Sequence, residues 1–236
     1  LVGLLGPMLG GIGFAYFTQN REGWRDYWSR IVDPTRIPPR WYLIIVLFGP
    51  GLWAVAMALD VASGDRAALA QIGKAVAPLL ATPSAILPLV LWTVCFGPIP
   101  EELGWRGYAL DRLQARWNAL AASLILGAIW ALYHLPLFYM KDTYHNVQGA
   151  WSLWFWLFMA EVVAMAVLFT WIFNNTRRST LAAILFHFVL NLTAQLVNVT
   201  PRTNVYATLL WIVAAIVVVG FCGAATLTRR RHPRPA

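Results

Sequence analysis

The sequence predicts an all-α, polytopic membrane protein: a bundle of about seven helical spans with a polar site inside the membrane. Three observations predict it. The 236 residues are 59% hydrophobic and only 12% charged, whereas a soluble domain carries about 25% charged residues. Several apolar runs reach or pass the length of roughly 20 residues that spans a bilayer, and the mean hydropathy is +0.61. Thirteen tryptophans and eight tyrosines, many at the ends of those runs, suit the two interfacial belts of a membrane protein. A net charge of +8 would suggest nucleic acid in a soluble chain. Here basic loops account for it, and no nucleic-acid partner is expected. Cys95 and Cys222 both lie within apolar runs, which argues against a disulfide framework or a thiolate metal site.

The spans follow in order. The chain opens on an apolar run, Leu1–Phe17, without an initiator Met. This reads as a truncated start with room for a membrane segment before it, and no cleavable signal is recognisable. The glycines of the run (Gly3, Gly6, Gly10, Gly11, Gly13) suit close helix packing. A polar stretch, Thr18–Arg40, carries Trp24, Tyr27, Trp28 and Ile31 at helical spacing. That pattern predicts a short amphipathic helix on the membrane surface, ended by Pro38-Pro39. Further spans are predicted at Trp41–Leu59, with a kink at Gly49-Pro50-Gly51, then Val76–Phe96, Asn118–Phe138, Trp151–Phe173, Thr180–Val197 and Val205–Leu227. With the 18–40, 101–117 and 174–179 loops and the C-terminal tail on the cytoplasmic side, 14 of the 18 Lys and Arg residues fall there, as the positive-inside rule demands. No repeat, linker or low-complexity segment interrupts residues 1–236, which read as one membrane-embedded domain. Asn-x-Thr triplets at Asn174, Asn191 and Asn198 are assigned no glycosylation.

The stretch that stands out is Gly97-Pro98-Ile99-Pro100-Glu101-Glu102-Leu103-Gly104-Trp105-Arg106-Gly107. A charge at the centre of a membrane helix costs about 2.5–3.5 kcal/mol on insertion scales, so it persists where it is paired or functional. The Gly-Pro-x-Pro run breaks the preceding helix, so a new one begins at the glutamates, where a helix N-terminus favours carboxylates. Arg106 stands four residues after Glu102, a same-face pair, and Glu101 is then the carboxylate available as a base. Residues 101–116 and 118–134 form two arms of similar length about a basic turn, which brings His134 to the depth of the glutamates. His187 starts another arm from the same side, with Asn191 one turn on. Such a pocket suits hydrolysis, with a glutamate as general base and histidines stabilising an oxyanion. Two histidines and a carboxylate also make a catalytic zinc set, although the helical H-E-x-x-H motif is absent. Each element has a structural alternative: an ion pair at a helix end for Glu102 and Arg106, a helix-end histidine bonded to backbone for His134, interhelical hydrogen bonding for His187 and Asn191. Glu161 reads as a packing or hydrogen-bond partner. His145 and His232 carry no functional case.

Glu101-Glu102-x-x-x-Arg106, Trp130-x-x-x-His134 and His187-x-x-x-Asn191, in this order, resemble the three motifs of the CAAX-protease and bacteriocin-processing (CPBP, or Abi) intramembrane protease family, which includes the type II CAAX prenyl endopeptidases. The resemblance covers about residues 84–197. Trp130 replaces the usual Phe of the second motif, and Asn191 is an accepted variant. The resemblance implies an intramembrane endopeptidase. Glu101, His134, His187 and Asn191 match its catalytic positions. Glu101 with His134 would activate water, His187 and Asn191 would hold the oxyanion, and Glu102 and Arg106 would brace the site. A zinc or other divalent ion would sit on Glu101, His134 and His187, while a metal-free, glutamate-activated water stays open. The implied partners are the lipid bilayer and a peptide or membrane-protein substrate, and the implied location is a bacterial cytoplasmic membrane. Prenylated tails, leader peptides and membrane-protein turnover all suit such a site, the prenylated tail least in a chain this compact. The competing classes are a non-proteolytic scaffold or immunity protein and an ion-coupled transporter. The transporter is disfavoured because no inverted repeat is visible.

Overall fold

The computed structural model describes residues 2–64, 74, 76–197 and 200–229. Leu1, most of the 60–74 loop, Asn198 and the basic tail from Arg230, with His232, lie outside the described residues. Every regular element among those described is a helix, and six helical segments are long and apolar enough to cross a membrane.

The principal helices are α1 (Gly6–Thr18), α2 (Arg21–Val32), α3 (Pro39–Ala62), α4 (Ile86–Cys95), α5 (Pro98–Gly104), α6 (Leu110–Gln114), α7 (Ala119–Tyr133), α8 (Tyr144–Gln148), α9 (Leu153–Asn175), α10 (Thr180–Val197) and α11 (Pro201–Cys222). The first apolar run forms only the 13-residue α1 after a 3-10 turn at Val2–Leu5. At 1.5 Å per residue α1 is about 20 Å long, and the 3-10 turn leads directly into it. Pro38-Pro39 starts α3 rather than ending α2, since proline suits a first helical turn, and α3 runs unbroken through Pro50.

The residues fall into two compact units. The first comprises Leu1–Asp111 and Ile172–Ala207, the second Arg112–Trp171 and Thr208–Ala236. In the first unit α1 crosses the glutamate helix α5. A Cβ on Gly11 would lie 2.6 Å from the Leu103 carbonyl oxygen, and one on Gly104 would run into the Pro7 backbone. Of the glycines in the opening run, Gly11 alone makes this approach; Gly3, Gly6, Gly10 and Gly13 face open space. In the second unit the equivalent close contact is Gly127 of α7 against Val163 and Ala166 of α9.

Paired carboxylates tie both ends of the first unit. At one end Asp111 pairs with Arg30 and Arg178, Arg30 also with Asp26, and Arg36 joins Asp26 to the Arg177 carbonyl. This network gathers α2, the 176–179 turn and Asp111, parts of three loops that the charge rule places on one side. At the other end Asp60, closing α3, accepts from Thr200, Thr203 and Arg202 at the start of α11.

Candidate active site

Helix α4 stops at Cys95 and α5 starts at Pro98, with Pro98 and Pro100 in a first turn whose N–H groups have no helical partner to lose. Glu101 completes that turn. The break therefore places both carboxylates at a helix start, as the sequence predicts. Glu101 is 6% exposed and Glu102 and Arg106 are 0% exposed. Arg106 Nη1 donates to both Glu102 oxygens, at 2.9 and 3.0 Å, so the same-face pair is present. His187 Nδ1 lies 2.8 Å from Glu102 Oε1. An ionised carboxylate only accepts, so Nδ1 carries the proton of that bond and Nε2 is the nitrogen a reacting group would meet. A carboxylate orienting an imidazole through Nδ1 is the arrangement that makes a histidine an effective base, oxyanion donor or metal ligand.

The helix does not continue regularly past the glutamates. Trp105–Ala109 forms a π turn, with the Leu110 N–H reaching back to the Trp105 carbonyl. Such widened turns are found mostly as single insertions in helices and often at functional sites. Arg106 sits inside it, flanked by Gly104 under α1 and Gly107 under Tyr27, whose Cε2 would be 3.0 Å from a Cβ there. Both glycines are required by these close approaches.

One face of α10 runs antiparallel along this segment. His187 meets Glu102. Asn191 Nδ2 would be 3.1 Å from a Cβ at Gly97. Gln195 Nε2 donates to Thr93 Oγ1 at 3.2 Å. Polar residues four apart on α10 thus meet positions four to five apart along α4, the Gly97 junction and α5. His187 is seven residues into α10, about 10 Å along the axis from its start, so the cluster lies within the membrane depth rather than at its edge.

His134 belongs to the second unit. It caps the C-terminus of α7, and its Nδ1 lies 2.8 Å from the Trp130 carbonyl. A carbonyl only accepts, so here too Nδ1 bears the proton and Nε2 is the other, basic nitrogen. The backbone bond that the sequence offered as a structural alternative is present, and it also orients the ring. His145, dismissed on sequence grounds, stands beside it, with ring centroids 5.8 Å apart; both rings pack edge-on to Phe158. Burial, then the His134 charge, pushes His145 down to about 4. Glu161 accepts from Thr208 Oγ1 at 2.6 Å, a hydrogen-bond partner as expected. Among the described residues no three His, Cys, Asp or Glu side chains stand together as a metal-ligating group, while His134 and His187 each have Nδ1 anchored in the manner of metal-ligating histidines.

Sequence reasoning missed Thr93 and Gln195, though Gln195 continues the His187, Asn191 stripe at the same four-residue spacing. It also missed Tyr27 and Arg30, which read as surface residues and are 0% and 2% exposed. The helical spacing marks Tyr27 as part of an apolar face but not what covers it, and nothing local marks Arg30; their partners are the Leu103 and Gly107 carbonyls.

A family model described as type II CAAX prenyl endopeptidase Rce1-like matches residues 83–193, the segment that holds all three motifs. A CAAX prenyl protease 2 of Methanococcus maripaludis is 28% identical over 221 residues, 93% of this chain and 80% of that protein. Over residues 83–193 the chain is similar to the type II CAAX prenyl endopeptidases, and this similarity supports an intramembrane endopeptidase activity in general terms.

Proposed function

We propose that this chain cleaves peptide bonds within the membrane by a water that Glu101 activates together with His134. The observation that carries the reading is Glu102 held at once by Arg106 and His187, with Glu101 next in the chain in the same buried turn. Arg106 donates to both Glu102 oxygens and holds the carboxylate in place. Glu102 in turn fixes the proton on His187 Nδ1. Glu101 takes a proton from water, and the hydroxyl oxygen bonds to the peptide carbonyl carbon. The carbonyl oxygen becomes an oxyanion, which accepts from the Asn191 amide N–H together with His187 in its doubly protonated form, whose Nε2–H is then the donor. The C–N bond then breaks, and the proton held by Glu101 passes to the departing amine, with His134 Nε2 orienting water and leaving group. Oriented donors at such an oxyanion contribute about 10²–10³ in rate each.

The motifs imply Glu101, His134 and His187 as the residues that would hold a zinc or other divalent ion, which would supply Lewis-acid chemistry; among the described residues these three do not stand together as a ligand set, so no step is routed through a metal. Elemental analysis of purified protein decides whether one is present. The similarity to a CAAX prenyl protease makes a prenylated C-terminal tail the first substrate to test. The 18–40, 101–117 and 174–179 loops face the cytoplasm in this reading, and the chain resides in a cytoplasmic membrane.

The test is a comparison of membrane peptides from cells carrying the native protein and Glu101→Gln. Substrate fragments are expected to vanish and intact precursors to accumulate in the variant. Identical peptide sets would leave the site without a proteolytic role.

A further inference from the structure

Two side chains of α2 reach the backbone of the glutamate turn. The Tyr27 hydroxyl donates to the Leu103 carbonyl at 3.1 Å, and Arg30 Nη2 donates to the Gly107 carbonyl at 3.2 Å. These carbonyls stand on either side of Arg106, one just before the π turn and one within it. A π turn shifts backbone pairing from the fourth residue to the fifth, and carbonyls at the change of register need donors as any buried carbonyl does. Both donors are buried. Arg30 is itself fixed by Asp26 and Asp111, and Asp111 by Arg178 Nε at 3.0 Å. Burial pushes the Tyr27 hydroxyl up to about 12, with Arg30 opposing the shift, so the phenol remains a donor throughout the working pH range.

We propose that α2 is a positioning element of the active site: Tyr27 and Arg30 hold the carbonyls on either side of Arg106, and thereby set its guanidinium against Glu102 and, through Glu102, orient His187. This rests on the proposed roles of Glu101 and its neighbours. The amphipathic pattern of residues 24–31 thus serves the site as well as the membrane surface. Tyr27→Phe removes one hydroxyl and keeps the ring that lies on Gly107. Arg30→Lys keeps the charge opposite Asp111, but one ammonium cannot serve Asp26, Asp111 and the Gly107 carbonyl together.

The full chain in detergent provides two readouts: hydrogen exchange of the amides in 103–110, and kcat and KM for a farnesylated CAAX peptide. Tyr27→Phe is expected to speed exchange in that segment and to lower kcat about 10- to 100-fold, the usual loss when a supporting contact is removed, with KM within about twofold. Arg30→Lys should move both in the same direction. Arg202→Met, at the opposite end of the first unit, should lower thermal stability and change neither readout. Unaltered exchange and kcat in Tyr27→Phe would overturn the proposal, and so would equal losses in Arg202→Met, which would mark general destabilisation. A native protein that leaves the peptide uncut counts against the prenyl-protease reading, and the exchange comparison then decides the role of α2 by itself.

Discussion

Glu102 and Asp60 are both carboxylates with no exposed surface, both paired with arginine, in the same unit. Their partners differ. Asp60 is held by the hydroxyls of Thr200 and Thr203 and by Arg202, whose side chain is 44% exposed. None of these groups ordinarily changes charge near neutral pH, and their contacts fasten α3 to α11. Glu102 is held by an arginine with no exposure and by His187, the one side chain whose ordinary pKa lies near neutrality. A buried charge is therefore not by itself a sign of chemistry. In the proposed reading, the titratable partner beside Glu102 is what makes the difference.

Removing that partner should have the largest effect. His187→Ala is expected to lower kcat by about 10²–10⁴-fold, the range of a lost acid–base or oxyanion group, in protein that remains folded by circular dichroism. Arg202→Met, the matching change at the Asp60 cluster, should leave the specific activity of the folded fraction intact. Equal activity losses in the two variants would erase the distinction between the clusters.

Stability should rank the clusters the same way. Glu102→Gln deprives Arg106 of its counter-charge where water cannot replace it, a loss of about 3–5 kcal/mol for a broken buried pair. Asp60→Asn should cost about 1–3 kcal/mol, because Arg202 can turn to solvent. Thermal unfolding in one detergent measures both.

Steric tests come next. Gly104→Ala pushes a methyl into the Pro7 backbone and should destabilise by about 1–3 kcal/mol while lowering activity through the displaced glutamate turn. Gly13→Ala has open space around it and should stay within about 0.5 kcal/mol of native.

The smallest effect is on pH dependence. Since burial lowers His145 to about 4, the folded state binds its proton less readily than the unfolded state does. The neutral ring favours folding above the ordinary histidine range, and this contribution is lost as pH falls from about 6.5 toward 4. His145→Phe should flatten the acid decline in melting temperature over that window.

Much of this was legible in the sequence because the signals were local. Apolar run lengths gave the spans, the Gly-Pro-x-Pro break gave the helix start at Glu101, and the four-residue spacing gave the Glu102–Arg106 pair. Three things were not legible. The first run reads as one uniform helix, whereas it begins with a 3-10 turn at Val2–Leu5 before α1. Tyr27 lies in the periodic stripe of residues 24–31, which reads as a membrane-facing surface, and Arg30 reads as a loop cation; that both are buried against the glutamate segment comes from tertiary packing, which no local period encodes. The π turn at Trp105–Ala109 has no dedicated sequence signal; the glycines on either side of Arg106 only permit the close packing around it.

The measurement that bears most directly on the site is cleavage of a farnesylated CAAX peptide by reconstituted native protein and by Glu101→Gln, with melting temperatures recorded for both. The expected result is turnover by the native protein, none by the variant, and matching melting temperatures. Turnover retained in Glu101→Gln would remove Glu101 from the chemistry and leave the Glu102 cluster, like that of Asp60, a fastening of the fold.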